Sequence, residues 1–480
     1  MSGFNRLLKN SISNIINGFS NIILGIVISP FLLKTLPLDD FSVWNLALQI
    51  GAFFSLISYA CQMTVARYIT SAKKKGNNQL EKDVMRKGLI LSVMSMLFCL
   101  IIVFIFYNKF ANIFSQIKPD FIIIARYCVA TVSVSFILGF VSSVFSGFFT
   151  GIERNDIPAI VNLISRILLG IIVIFVSSHG ILLMSLTYLT INILSYIAMY
   201  IMYVKVQNIR TNNNSIDNIK FRKFIHYFIG MCGVNLSSFL LIGMNGVLVG
   251  KYAFSEYSYY SLSMVLVTAA VGFISSSLMP TMQPMIRFYD DQKRIDELLY
   301  NLTVFVSLFI SMLLILITYA APIILSLWVG HDIATKMFML FIALITINLT
   351  RLIGLPISLF YFAKAKQNKI IYLPFLEGII SIIFTIIFIN DFGSYAVPLG
   401  LFIAVIIIFI IYSFKLLYIV GKKYRFFYKV LFLLYPITMI GYIFLNVKYA
   451  LNNYIGLAVI IPLAILFFRK IKILKKILGN

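Results

Sequence analysis

Four ionisable side chains lie inside apolar stretches where a charge is hardest to accommodate: Arg126, Arg166, Arg351 and Glu377. A charge at bilayer depth costs at least ~2.5–3.5 kcal/mol, so each needs a reason to be there. A guanidinium offers five N–H donors in a planar fork and grips carboxylate or phosphate through two parallel hydrogen bonds. Three arginines against one carboxylate leave a surplus of positive charge, which favours an anionic partner. The chemistry on offer is anion recognition, with no bond made or broken. A plainer reading stands beside it: Arg351 and Glu377 pair between neighbouring helices, and Arg126 reaches for the outer interface.

Spacing places polar partners on the same helical faces. Asn162 precedes Arg166 by four residues, Asn348 precedes Arg351 by three, and Ser358 follows Arg351 by seven. Glu377, Ser381 and Thr385 form an i, i+4, i+8 stripe, and Asn14, Asn17 and Asn21 share one side of the first apolar segment. Such stripes suit the wall of a wet cavity, with Arg166, Arg351, Asn162, Asn348, Arg126, Asn14, Asn17 and Asn21 as candidate lining residues. Glu377 is the candidate for coupling to an ion, because it is the one carboxylate at membrane depth. The same Asn and Ser residues would serve as interhelical glue, worth ~0.6 kcal/mol each.

The elements that must carry these residues are transmembrane helices. The 480 residues are 61% hydrophobic and 12% charged, with mean hydropathy +0.97. No soluble domain of this size buries so much apolar surface. About fourteen stretches reach the ~20 residues a helix needs to cross a bilayer. They are continuous runs without two-residue alternation, which selects helices over a barrel. The expected spans lie near 12–33, 43–65, 88–107, 121–149, 157–177, 181–204, 223–250, 256–280, 298–328, 335–361, 370–389, 394–414, 430–447 and 453–468.

Charge gives an independent test. Of the 40 Lys and Arg, three lie within spans, and Lys34, Lys109, Lys118, Lys251, Lys336 and Lys448 fall in outer loops when the N-terminus is placed inside. The other 31 fall on the inner side. That bias predicts cytoplasmic termini, and an odd number of spans would scramble it. The net charge of +24 is thereby assigned to topology and anionic lipid rather than to nucleic acid.

The polar interruption at Lys205–Lys223 divides the chain. The expected organisation is a six-helix lobe over 1–204, a cytoplasmic linker over 205–222, a second six-helix lobe over 223–418, and a terminal helix pair with a basic tail over 419–480. The lobes echo each other at an offset near 213–220 residues. Leu36–Pro37–Leu38–Asp39–Asp40–Phe41–Ser42 matches Ala253–Phe254–Ser255–Glu256–Tyr257–Ser258, each putting an acid, an aromatic and a serine at the first outer turn; Arg67 matches Arg287, and Glu153–Arg154–Asn155–Asp156 matches Lys366–Gln367–Asn368–Lys369. Six spans per repeat enter the membrane from the same side, an arrangement of alternating-access transporters. Gly25, Pro30, Pro280, Gly354, Pro356, Pro374 and Gly378 are candidate bends, and Gly246-x-x-x-Gly250 is a close-packing signal.

Other chemistry is poorly represented. Cys61, Cys99, Cys128 and Cys232 sit singly in apolar spans, and His179, His226 and His331 are scattered, so no metal site, catalytic cluster or cofactor is expected. There is no nucleotide-binding loop and no cleavable signal pattern.

The chain resembles polysaccharide-export flippases of the multidrug/oligosaccharidyl-lipid/polysaccharide (MOP) superfamily, and within it the Wzx-type O-antigen or repeat-unit translocases. The resemblance is carried by Leu36–Pro37–Leu38–Asp39–Asp40–Phe41–Ser42–Val43–Trp44, Val65–Ala66–Arg67–Tyr68–Ile69, Phe145–Ser146–Gly147–Phe148–Phe149–Thr150–Gly151–Ile152–Glu153–Arg154 and the turn around Ala363–Lys364–Ala365–Lys366. Ser42 stands where the family usually has glycine. The resemblance implies an all-α integral membrane protein in which two pseudo-symmetric lobes rock about a central cationic cavity. It also implies an undecaprenyl-diphosphate-linked oligosaccharide as passenger, membrane lipids and polysaccharide-assembly proteins as partners, and an ion or proton gradient as a driving force. The setting would be the bacterial cytoplasmic membrane, serving O-antigen, capsule or another surface glycan.

Two other readings compete. A multidrug cation antiporter of the same superfamily needs carboxylates in its lobes, and only Glu377 is at depth. A membrane glycan polymerase or ligase needs a sizeable outer site. The outer pair Asp39–Asp40 could hold a metal there, but it sits in a short loop and reads more simply as a solvated turn.

Overall fold

A computed structural model of the chain describes residues 25–207, 220–288, 291–364, 366, 369–416, 420–449 and 458–479. The described residues are almost all helical, joined by short turns, with no strand among them. Among the described residues ten helical stretches are long and apolar enough to cross a membrane, or eleven when the bent helix Phe221–Tyr252 is counted as one. One of the ten, Tyr372–Phe414, doubles back: a tight turn at Gly393, with φ of 54°, joins two helices that pack along each other. A left-handed φ strains any residue with a Cβ, which is why glycine occupies this turn.

The chain forms two compact units, Met1–Ser258 and Tyr259–Asn480. The first contains α1 (Gly25–Thr35), α2 (Leu38–Lys74), α3 (Asn78–Ile113), α4 (Pro119–Gly151), α5 (Asp156–Val176), α6 (Ile181–Gln207) and α7 (Phe221–Tyr252). Local chemistry sets several of the boundaries. Asn77 caps α3 by accepting a hydrogen bond from the Leu80 amide at 2.9 Å, satisfying one of the orphan donors of a helix start. Pro119 opens α4, where its missing N–H costs nothing. The α4–α5 turn is closed by a fork from Arg154 to Asp156, at 3.1 and 3.3 Å.

The core of this unit is the α2–α4 contact. Gly147 and Gly151 on α4 press against α2 so closely that a Cβ would lie 2.5 Å from the Gln62 carbonyl and 2.6 Å from Ile69 Cβ, respectively. Small residues let helices approach and gain dispersion contact that lipid tails cannot otherwise provide. Around this seam α3 packs on α4, α4 and α5 on α6, and α7 on α2. The outward faces remain apolar: Phe98, Phe104 and Phe175 are 65–74% exposed. In water such a surface would aggregate; in hydrocarbon it is the solvent-facing side.

The second unit contains α8 (Tyr257–Leu278, whose first two residues precede the boundary), α9 (Met282–Arg287), α10 (Gln292–Val329), α11 (His331–Arg351), α12 (Leu355–Ala363), α13 (Tyr372–Phe392), α14 (Ala396–Ile411), α15 (Lys422–Tyr449) and α16 (Ile460–Gly479). The expected break at Gly354 and Pro356 is present: a 3-10 turn, Leu352–Gly354, separates α11 from α12. Another 3-10 turn, Met279–Thr281, lies at Pro280. Pro374 lies in the first turn of α13, where proline is tolerated, and Gly378 is buried within that helix.

The last two helices dock on α10. Tyr428 Oη shares a hydrogen bond with Thr303 Oγ1 at 3.4 Å, and Tyr435 Oη donates to the Ser307 carbonyl at 3.0 Å and lies 2.7 Å from Ser311 Oγ. From α16, Lys470 Nζ donates to Asn301 Oδ1 at 2.8 Å. At the cytoplasmic end expected from charge, buried Asp296 accepts from the Gly421 amide at 3.0 Å and from Gln292 Nε2 at 2.8 Å. An apolar cavity of about 370 Å³ lies among α11, α13, α14 and α15, lined by residues such as Ile342, Phe392 and Ile443.

Candidate functional site: a polar pocket around Arg166

Four helices of the first unit enclose a cavity of about 190 Å³. Each lines it through residues three or four apart, the spacing of one helical face. From α2 come Ser55, Ser58 and Gln62; from α4, Phe136, Gly139, Ser142, Ser143 and Ser146. α5 contributes Asn162, Ser165 and Arg166, and α6 contributes Tyr188, Asn192, Ser195 and Tyr196. Arg166 is the single charged residue of this lining, and no carboxylate is among the lining residues.

The neutral side chains are largely satisfied by the backbone. Ser143 Oγ donates to the Phe140 carbonyl at 2.6 Å, Ser165 Oγ to Val161 at 2.8 Å, and Asn192 Nδ2 to Tyr188 at 2.8 Å. Each keeps acceptor capacity after that donation. Tyr196 Oη donates to the Ser135 carbonyl at 2.9 Å, and its ring end occupies space left by Gly139, where a Cβ would lie 2.8 Å from Oη. Gly139 is thus what lets Tyr196 stand against the wall. Arg166, half-buried, makes no hydrogen bond or ion pair among the described residues. Its guanidinium brings donors and a full positive charge to a site otherwise built of hydroxyl, amide and aromatic groups. That combination suits an anionic group attached to a polyhydroxylated body.

The other arginines are engaged differently. Arg351 Nη1 lies 3.7 Å from Glu377 Oε1, with side chains 20% and 8% exposed. This is the interhelical pairing that the sequence left open as the plainer reading. The distance exceeds a charge-assisted hydrogen bond, and both atoms are buried without any hydrogen-bond partner. Asn348 is buried and donates to the Leu344 carbonyl at 2.9 Å, a bond within its own helix. Arg126 lies against two aromatic rings, 4.3 Å from the Tyr107 centroid and 5.9 Å from that of Tyr127, and does not line the Arg166 pocket. Asn14, Asn17 and Asn21 fall outside the described residues.

At the outer turn Asp39 is paired with Lys118 at 2.7 Å. Burial and the neighbouring Asp39 push the Asp40 carboxyl above its ordinary range. Among the described residues no cluster of three or more His, Cys, Asp or Glu side chains could hold a metal.

Sequence reasoning joined Arg166 to Asn162 but missed most of the pocket. The signal was present in Ser55–Ser58–Gln62, Ser142–Ser146 and Asn192–Ser195–Tyr196, each a polar pair or triplet at helical spacing inside an apolar span. Serine is common in membrane helices, so each stripe alone was unremarked; only convergence on one cavity distinguishes them.

The comparisons agree with this architecture. A flippase of lipid II, MurJ, in an inward closed conformation superimposes with a TM-score of 0.73 at 16% identity, over 98% of this chain and 100% of that one. An inward-facing multidrug resistance MATE family transporter of the MOP superfamily gives 0.60 at 12% identity, covering 89% and 96%. A MOP superfamily transporter from Pyrococcus furiosus, described as having a binding pocket of reversed polarity, gives 0.53 at 14% identity, covering 91% and 96%. At such identities the likeness establishes the fold alone. No curated protein matches the sequence. The sequence itself matches the family described as polysaccharide biosynthesis protein over residues 7–289, more than half the chain, and the chain belongs to that family.

Proposed function

We propose that this protein is a flippase that carries polyprenyl-diphosphate-linked oligosaccharide repeat units from the inner to the outer leaflet of the bacterial cytoplasmic membrane. The observation that carries the reading is Arg166: an unpaired guanidinium in a pocket of hydroxyl, amide and aromatic side chains with no carboxylate in its wall. A diphosphate bearing several sugars cannot cross hydrocarbon unaided, because its polar groups would lose water without replacement. The pocket supplies replacements of the right kinds: one cation for the phosphates, neutral hydrogen-bonding groups and aromatic rings for the sugars. The prenyl chain stays in lipid.

In this reading the chain crosses the membrane fourteen times, with lobes at 1–204 and 223–418, a linker at 205–222, a terminal pair at 419–480 and both termini in the cytoplasm. The inner excess of Lys and Arg supports the orientation. The lobes alternate access without covalent chemistry, serving a surface glycan such as O-antigen or capsule. A cation antiporter reading is less well served, because the pocket wall offers no carboxylate to a cation.

The test is genetic and biochemical. In cells that depend on this protein for surface polysaccharide, Arg166→Ala abolishes the surface product and leaves the lipid-linked intermediate in the inner leaflet, and Arg166→Lys restores part of the flux. Normal export by correctly inserted Arg166→Ala protein overturns the assignment.

A further inference from the structure

The Arg351–Glu377 pair has an unusual construction. Its two facing atoms stand at 3.7 Å and neither has any hydrogen-bond partner. Buried polar atoms are almost always hydrogen-bonded, so an orphaned pair asks for an explanation. Thr346 Oγ1 and Thr350 Oγ1, on the same helix as Arg351, are buried without partners too. The backbone adds a second irregularity: Arg351 is the last residue of α11, immediately before the 3-10 break at Leu352–Gly354. The two sides of the pair also differ in access, for the arginine side chain is 20% exposed and the glutamate 8%. The arginine side chain is thus the less enclosed of the two.

A charge pair without hydrogen bonds is held by attraction alone and yields to a ligand that offers both. A diphosphate presents oxygens to a guanidinium in bidentate geometry. Once its cation is taken, a carboxylate in a dry site is neutralised by a proton, because an isolated buried charge is far costlier than a neutral acid. Among the described residues, the charged or titratable groups facing Glu377 are Arg351 from α11 and Tyr412 from the π-turn after α14, whose Oη shares a 2.9 Å hydrogen bond with Ser358 Oγ. Arg351 is thus the one cation facing Glu377 among them.

We propose that Glu377 is an internal counter-ion, a stand-in for the passenger's diphosphate, which the diphosphate displaces from Arg351 while Glu377 takes up one proton from solvent. The inference rests on the reading that the passenger carries a diphosphate. The exchange balances: the arginine–carboxylate pair, a proton and the diphosphate enter, and the carboxylic acid plus the arginine–diphosphate pair result. Loading at this locus is therefore coupled to proton uptake.

The test uses the full-length protein in lipid nanodiscs and a short-chain polyprenyl diphosphate esterified to N-acetylglucosamine, whose doubly esterified diphosphate has no weakly acidic hydroxyl to titrate near neutral pH. Calorimetric titration in buffers of different ionisation heat counts the protons taken up. The wild type takes up about one proton per ligand. Glu377→Gln takes up none and binds several-fold more tightly, and the gain vanishes in the Arg351→Ala background. Glu377→Asp, which keeps the carboxyl, keeps the uptake, and the wild-type count stands alone if the glutamine variant does not fold. Binding by the wild type without proton uptake overturns the counter-ion. Failure of the wild type to bind the probe at all overturns instead the diphosphate reading beneath it.

Discussion

Replacing Arg166 by alanine should cost ligand affinity alone, whereas replacing Arg351 should cost stability as well. Arg166 has no partner among the described residues, so its removal leaves no buried charge behind. Substitutions free of such consequences usually stay within ±0.5 kcal/mol of wild-type stability. What Arg166→Ala loses is ligand: one hydrogen bond to a charged group is worth about 1.5–3 kcal/mol, or one to two powers of ten in affinity. Arg351→Ala strands Glu377, whose side chain is 8% exposed. Removing one member of a buried pair costs about 3–5 kcal/mol while the survivor stays charged, and less once a proton neutralises it. Thermal melting in detergent and binding of a polyprenyl-diphosphate glycan, measured on the same preparations, separate the cases. Arg166→Ala melts with the wild type and binds about 10- to 100-fold more weakly, whereas Arg351→Ala melts several degrees lower. The double variant Arg351→Ala/Glu377→Gln recovers much of the lost stability, since it removes the stranded charge. An Arg166→Ala protein that melts early, or binds like the wild type, refutes the reasoning.

Other consequences are more local. Gly139→Ala forces the Tyr196 ring off the wall and breaks its bond to the Ser135 carbonyl; transport falls while melting shifts by about 1 kcal/mol or less, read by export and thermal unfolding together. Gly151→Leu drives a side chain into Ile69 at the α2–α4 seam and removes folded protein, read as loss of the monodisperse peak in size exclusion. Tyr435→Phe removes the hydroxyl between Ser307 and Ser311 and costs about 1 kcal/mol, more than Tyr428→Phe, whose contact to Thr303 is longer at 3.4 Å. Arg126→Leu forfeits a cation–π contact with Tyr107, worth about 0.5–2 kcal/mol, and leaves transport unchanged, because the residue does not line the pocket.

The helical membrane architecture was legible because hydrocarbon admits few solutions: long apolar runs must be helices. The break at Gly354 and Pro356 was legible for a similarly local reason. The Arg166–Asn162 face followed from i, i+4 spacing alone. What stayed hidden depends on which helices meet. That Ser142, Ser146 and Tyr196 converge on Arg166 requires α4 and α6 to flank α5, and no single helix encodes that. The environment of Arg126 was half visible, since Tyr127 adjoins it in sequence while Tyr107 comes from another helix. Arg351 and Glu377 were each conspicuous, yet only their separation shows that they face one another without bonding. Asn348 stood out by type alone; its bond to Leu344 shows a side chain folded back on its own helix.

The central claim is that the unpaired guanidinium of Arg166 helps a diphosphate-linked glycan across the bilayer. The most direct measurement is a reconstituted one: purified protein in liposomes, a fluorescent polyprenyl-diphosphate oligosaccharide placed in both leaflets, and a membrane-impermeant quencher that reports exchange between them. Wild-type protein makes the inner-leaflet pool accessible, and Arg166→Ala protein, equally folded and inserted, leaves it protected. Equal accessibility in the two, or none with either, contradicts the claim.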